Sequence, residues 1–148
     1  MQVRDVLKAK GAGARVITTG PDSSAREAIA VMVRHNVGSL PVVESSGRLL
    51  GVISERDLIR AIDHAGPEFA EAPVRELMTR DPITCELDDE VDAVMGLMSD
   101  RRIAKVPTLE NGRLVGIISV GDVIKLLYER TRSENSYLMD YLYGPAHA

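Results

Sequence analysis

The chain has 148 residues, 45% of them hydrophobic and 27% charged, with a formal net charge of −4 at pH 7. That is the composition of one compact domain able to bury a core without disulfides or a structural metal, and it is globular rather than disordered. The acidic balance also excludes general nucleic-acid binding, which needs surplus cationic side chains to displace counterions from phosphates.

The single cysteine, Cys85, has no C-x-x-C partner and no Cys/His cluster around it, so neither an internal disulfide nor a metal is expected. The first residues, Met1-Gln2-Val3-Arg4-Asp5, are charged and lack an apolar h-region, so no secretory signal is expected. Apolar runs fall far short of the about 18 residues of a membrane span. A soluble, cytoplasmic protein without membrane or nucleic-acid partners is the expectation.

In chain order, Val3-Arg4-Asp5-Val6-Leu7 comes first and returns as Val74-Arg75-Glu76-Leu77-Met78. Gly11-Ala12-Gly13 has no strand–helix context and no following lysine, so it reads as an entry loop and not a phosphate-binding loop. A short strand is predicted over 15–18, then a turn at Gly20-Pro21-Asp22, then a helix with Ala25, Ala28, Ile29, Met32 and Val33 at helical spacing. Strands follow over 40–43 and 49–53, and a helix opens at Ser54. A linker covers about 63–73. The same string then repeats: a strand over 82–85, a turn at Glu86-Leu87-Asp88, and a helix carrying Val91, Val94, Met95 and Met98. Strands over 106–109 and 114–118 are joined by Asn111-Gly112, a strong hairpin signal, and a helix opens at Ser119.

The duplication is direct. Gly47-Arg48-Leu49-Leu50-Gly51-Val52-Ile53-Ser54 recurs as Gly112-Arg113-Leu114-Val115-Gly116-Ile117-Ile118-Ser119, and Val37-Gly38-Ser39-Leu40-Pro41 aligns with Ile103-Ala104-Lys105-Val106-Pro107. The register between copies changes by one residue where Glu44-Ser45-Ser46-Gly47 faces the shorter Glu110-Asn111-Gly112, a turn that tolerates an indel. The fold class that follows is α/β, an α+β sandwich of two tandem β-α-β-β-α repeats with pseudo-twofold symmetry. Repeat 1 is 1–66, repeat 2 is 67–130, and 131–148 is a helical tail. Two such halves would close their apolar faces on each other and leave paired clefts at the seam.

Both copies carry the pattern G-h-h-S-x-x-D-h-h, as Gly51 to Ile59 and as Gly116 to Ile124. Ser-x-x-Asp between a strand and an apolar run is first of all a capping box. A helix N-terminus also attracts anions, and a carboxylate three residues on can accept hydrogen bonds from vicinal ribose hydroxyls. Serine plus aspartate at this spacing suits a ribose-phosphate. In the tail, Tyr137, Leu138, Tyr141 and Leu142 form an apolar stripe, read either as packing on its own domain or as a homodimer contact.

The duplicated unit, the apolar-proline strand and the G-h-h-S-x-x-D turn resemble the pairs of cystathionine-β-synthase-type (CBS) domains over essentially the whole chain. Ser54-Glu55-Arg56-Asp57, Ser119-Val120-Gly121-Asp122 and Tyr141-Leu142-Tyr143-Gly144 are similar to the small stand-alone bacterial members. The resemblance implies a regulatory, non-catalytic module whose clefts bind AMP, ADP, ATP, NAD or S-adenosylmethionine, and a homodimer. By that resemblance Asp57 and Asp122 hold ribose hydroxyls, and Ser54 and Ser119 contact phosphate. Thr18 and Thr84 match the position that lines the adenine pocket, as do Val37-Gly38 and Ile103-Ala104; the sequence leaves open whether each cleft draws its strand and its aspartate from one repeat or from both.

The two sites are expected to differ. Arg56 can reach a phosphate, whereas its counterpart is Gly121; repeat 2 instead has Arg101, Arg102 and Lys105 where repeat 1 has His35, Asn36 and Ser39. Many family members carry arginine and histidine where this chain has Ala104 and Lys105, which makes Lys105 the substitute phosphate contact. The alternative is a protein-interaction or scaffold module with a vestigial or non-nucleotide ligand site; an effector protein is a further expected partner. No paired carboxylates, triad or metal cluster assembles, and His64 and His147 fall in linker and tail, so an enzyme is not expected.

Overall fold

The computed structural model describes residues 1–11 and 15–144. Most of the entry loop expected at Gly11-Ala12-Gly13 lies outside the described residues, as does His147. Helix α1 spans Val3–Lys10 and α2 spans Ala25–His35; strands β1 (Ser39–Val43) and β2 (Leu49–Ser54) lead into α3 (Glu55–Ala65). A 3-10 turn over Gly66–Glu71 and a one-turn helix α4 (Val74–Leu77) connect to β3 (Thr79–Arg80) and β4 (Cys85–Glu86). Helix α5 (Val91–Arg101), strands β5 (Lys105–Glu110) and β6 (Arg113–Ser119), and the long α6 (Val120–Tyr143) complete the chain.

Local chemistry sets the boundaries. The Ser24 hydroxyl accepts the Glu27 N–H to start α2, and Ser54 and Ser119 start α3 and α6 with complete capping boxes. Asn36 and Arg102, at φ 51° and 54°, end α2 and α5 in the left-handed region. Asn111 and Gly112 sit at φ 54° and 78°, the expected tight turn between β5 and β6.

Two three-stranded sheets result, in the orders β1-β2-β3 and β4-β5-β6. β1 runs antiparallel to β2 with Leu40 opposite Ile53, and β2 runs antiparallel to β3 with Gly51 opposite Arg80. β4 runs parallel to β5 with Cys85 opposite Thr108. The leading strand of each repeat is shorter than its sequence predicts and lies further on. In place of 15–18, Thr19 alone pairs, donating to the Pro41 carbonyl at 3.0 Å and accepting from Val43 at 2.9 Å. Gly20 and Pro21 follow at once and stop the ladder. In place of 82–85 the strand is Cys85–Glu86, since Pro82 has no N–H to contribute.

Contacts divide the chain into two compact units that cut across the repeats. One comprises Met1–Ala14, Leu87–Val106 and Ile117–Ala148; the other comprises Arg15–Glu86 and Pro107–Gly116. In the second unit, Ala25, Ala28, Met32, Leu40, Val42, Ile53, Leu58 and Val74 form a buried cluster. In the first, Val3, Val6, Val91, Val94, Met98, Val106, Ile118 and Val123 are buried.

The segment that leads each repeat is bonded to the other repeat. Val74 N–H donates to the Ser23 carbonyl at 2.8 Å, Arg75 N–H to Pro21 at 3.0 Å, and Ala25 N–H to Ala72 at 2.9 Å. The same three bonds recur with Val3 donating to Asp89 at 3.0 Å, Arg4 to Leu87 at 2.9 Å, and Val91 to Met1 at 2.9 Å. Sequence-equivalent residues thus make equivalent bonds, with their partners exchanged.

Gly51 shows what this exchange requires. A Cβ there would lie 2.5 Å from the Thr79 carbonyl oxygen and 2.8 Å from the Met78 sulfur. Gly51→Ala should therefore destabilise the fold by about 1–3 kcal/mol through overpacking. Urea unfolding of the variant and wild type measures this, and an unchanged midpoint would contradict the close approach of β3.

Candidate functional site

Each Ser-x-x-Asp turn places a carboxylate at the third residue of a helix, where unpaired amides and the helix dipole favour negative charge. At α3, Asp57 Oδ2 accepts the Ser54 N–H at 2.8 Å and the Ser54 hydroxyl at 3.0 Å, while the Asp57 N–H donates back to Ser54 Oγ at 3.3 Å. Asp57 is buried, and its other oxygen, Oδ1, accepts the Thr79 hydroxyl at 3.1 Å. At α6, Asp122 Oδ2 accepts the Ser119 N–H at 3.1 Å, and the Asp122 N–H donates to Ser119 Oγ at 3.0 Å. Here the extra partner is cationic: Lys10 Nζ lies 2.9 Å from Asp122 Oδ2 and donates to the Ile117 carbonyl at 2.9 Å.

The electrostatics of the second turn follow from that partner. Burial by itself raises the Asp122 carboxyl, but hydrogen bonds from Lys10 and Ser119, together with the Lys10 charge, outweigh it and hold the group below the usual carboxylate value.

The residue entering each inner strand is joined to its turn. Glu55 N–H donates to the Gly38 carbonyl and Val120 N–H to the Ala104 carbonyl, each at 3.0 Å. Val37 and Gly38 therefore stand beside Ser54 and Asp57, and Ile103 and Ala104 beside Ser119 and Asp122. Around the first turn the Glu55 carboxylate lies close against Gly38, its Cδ 3.2 Å from where a Cβ would stand. Around the second, Ala104 and Val120 bring no charge. Arg56 is exposed on the first turn of α3, and Lys105 is exposed at the start of β5. Thr18 is exposed and Thr84 half-buried; both belong to the compact unit that holds Asp57, each one residue before the paired residue, Thr19 or Cys85. Cys85 is buried, its sulfur 3.4 Å from Thr108 Oγ1.

Thr79 and Lys10 are absent from the residues singled out by sequence. The two do not align with each other between repeats, since Thr79 corresponds to Lys8, so no repeated signal marks them. Among the described residues, no group of three or more His, Cys, Asp and Glu could hold a metal ion, and no helix is long and apolar enough to cross a membrane.

Residues 3–64 and 74–129 each match the CBS domain. The chain is 32% identical over 148 residues to the mitochondrial CBS domain-containing protein CBSX3 of Arabidopsis thaliana, covering 96% of this chain and 72% of that protein. Its structure is similar to that of the CBS-domain containing protein ATU1752 from Agrobacterium tumefaciens, with a TM-score of 0.75 and 38% identity over 85% of this chain and 98% of the other. It is also similar to the CBS domain pair of protein MJ0100, which was crystallised with 5'-methylthioadenosine and S-adenosyl-L-methionine; the TM-score is 0.71 and the identity 30%, over 88% of this chain and 98% of that one. Other relatives are larger, and the chain spans 21% of the inosine-5'-monophosphate dehydrogenase of Methanocaldococcus jannaschii. With two matched domains, each built on the same capped turn, the chain belongs to the CBS-domain family as a tandem pair.

Proposed function

We propose that the chain is a regulatory, non-catalytic module that binds an adenine nucleotide, AMP, ADP, ATP or NAD, at its two Ser-x-x-Asp turns. One observation carries this reading: twice in the chain a carboxylate is fixed at a helix N-terminus beside a strand-entry residue. That arrangement offers carboxylate acceptors for vicinal hydroxyls and the positive end of a helix dipole for a phosphate. The adenosyl ligands of the MJ0100 pair support the ligand class.

In this reading Asp57 and Asp122 hold ribose, and Ser54 and Ser119, with Arg56 and Lys105, meet phosphate. Thr18, Val37, Gly38, Thr84, Ile103 and Ala104 surround adenine. Repeats 1–66 and 67–130 are the functional halves, no metal takes part, and the setting is the cytoplasm. Binding acts on an effector protein through differential affinity for two conformations.

The tail favours a homodimer. Helix α6 continues unbroken to Tyr143, and Tyr137 and Tyr141 are 79% and 87% exposed, with Leu138 and Leu142 alongside. Exposed aromatic residues at helical spacing suit a contact with a second copy. The same surface would serve the alternative, an interaction module with vestigial ligand sites.

Isothermal titration with AMP, ATP, NAD and S-adenosylmethionine separates these readings. We expect heat with at least one of them, and Asp57→Ala and Asp122→Ala should each weaken one class of sites by about ten- to a hundredfold, the cost of hydrogen bonds to a charged group. No heat from well-folded protein would refute nucleotide binding, and unaltered stoichiometry in both variants would refute the residue assignment. Sedimentation of a chain lacking residues 133–148 addresses the tail. The expected outcome is loss of the dimer, and an unchanged mass would remove the tail from the interface.

A further inference from the structure

The two aspartates differ most in what opposes them. Asp57 Oδ1 meets a neutral hydroxyl, Thr79. Asp122 Oδ2 meets the ammonium of Lys10, delivered from the last residue of α1 and held a second time by the Ile117 carbonyl. The ion pair is partly withdrawn from water, the side chains being 29% and 23% exposed. Beside it lies a cavity of about 200 Å³ lined by Lys10, Asp122, Lys125 and Glu129, among others, so a second ammonium and a second carboxylate face the same space.

A ribose that reaches Asp122 offers hydroxyl donors to a carboxylate whose Oδ2 already takes an ammonium. If the hydroxyls take over the carboxylate, Lys10 loses its counter-charge. A nucleoside brings no replacement, and leaving a partly desolvated cation unpaired is costly. A nucleotide brings its own anion. Its phosphate, at the N-terminus of α6, can take the ammonium that the ribose displaces.

We infer that Lys10 is a latch on Asp122, closed by the ion pair in the free chain and transferred to phosphate on binding, so that the Asp122 site selects a phosphorylated nucleotide over its nucleoside. This rests on the nucleotide-binding reading above and adds to it a residue that decides specificity. Lys10 is a positioning and selecting group; nothing covalent happens to it. The Asp57 site, with Thr79 in place of the ammonium, lacks this device and discriminates less.

Titration calorimetry with AMP and adenosine, on the full chain carrying Asp57→Asn so that the Asp122 site dominates, tests the latch. Lys10→Met should strengthen adenosine and weaken AMP, lowering the AMP-over-adenosine preference about tenfold, while Lys10→Arg, which keeps the charge, should preserve most of it. Thermal melts of each variant report folding independently of ligand. A preference that survives Lys10→Met, or equal weakening of both ligands, overturns the latch and leaves the nucleotide reading standing. If the Asp57→Asn chain and the wild type bind neither compound, the nucleotide reading falls and the latch with it.

Discussion

Everything at the two turns depends on a carboxylate held at the third residue of a helix by a donor that comes from the other repeat. Asp57 gets its outer donor, the Thr79 hydroxyl, from the segment that leads repeat 2. Asp122 gets its outer donor, the Lys10 ammonium, from the segment that leads repeat 1. A capped helix start contributes about 1 kcal/mol, and a negative charge on the first turn adds roughly 0.3–1 kcal/mol. Neither would offset the cost of burying a lone carboxylate. The reciprocal donors supply the missing hydrogen bonds, which is why the exchanged segments and the turns have to be considered together.

The exchange also explains the glycine that opens the motif. With Thr79 and Met78 lying against Gly51, any side chain at that position would collide with the backbone that delivers the Asp57 partner. The glycine, the serine and the aspartate thus serve one arrangement: close approach, cap and buried acceptor. The leading helices are only 8 and 4 residues long, too short to be stable alone. Burial of Val3, Val6 and Val74, and the backbone bonds repeated in both copies, keep them in place.

Much of this was legible in the sequence, and the limits have physical causes. The repeated strands, the Asn111-Gly112 turn and both helix starts at Ser54 and Ser119 follow from local patterns, because capping and turn chemistry act over a few residues. The expected strands over 15–18 and 82–85 were misplaced because pairing there is set by parallel neighbours distant in sequence, and proline trims it. The candidate site was legible in its serines and aspartates but not in Thr79 or Lys10. Those two residues occupy different registers of their repeats, and only tertiary exchange brings each beside its carboxylate. The position of Glu55 over Gly38 was hidden for the same reason, since it depends on how a strand entry meets a helix start.

Duplication made two like frames, and point differences have since given them unlike charge. The first turn carries Glu55, Arg56 and a neutral hydroxyl on Asp57; the second carries Val120, Gly121 and an ammonium on Asp122. A shared backbone bond from the strand entry to the helix start, at 3.0 Å in both copies, keeps the frame constant while these side chains vary. On the nucleotide-binding proposal, two turns that differ in charge but not in frame can respond to different forms of one ligand class. A regulatory reading needs no more than that: a tenfold difference in affinity corresponds to about 1.4 kcal/mol, which is the scale of a single hydrogen bond to a charged group. One residue such as Lys10, placed at the end of a short helix, is therefore large enough to separate the two turns without any change of fold.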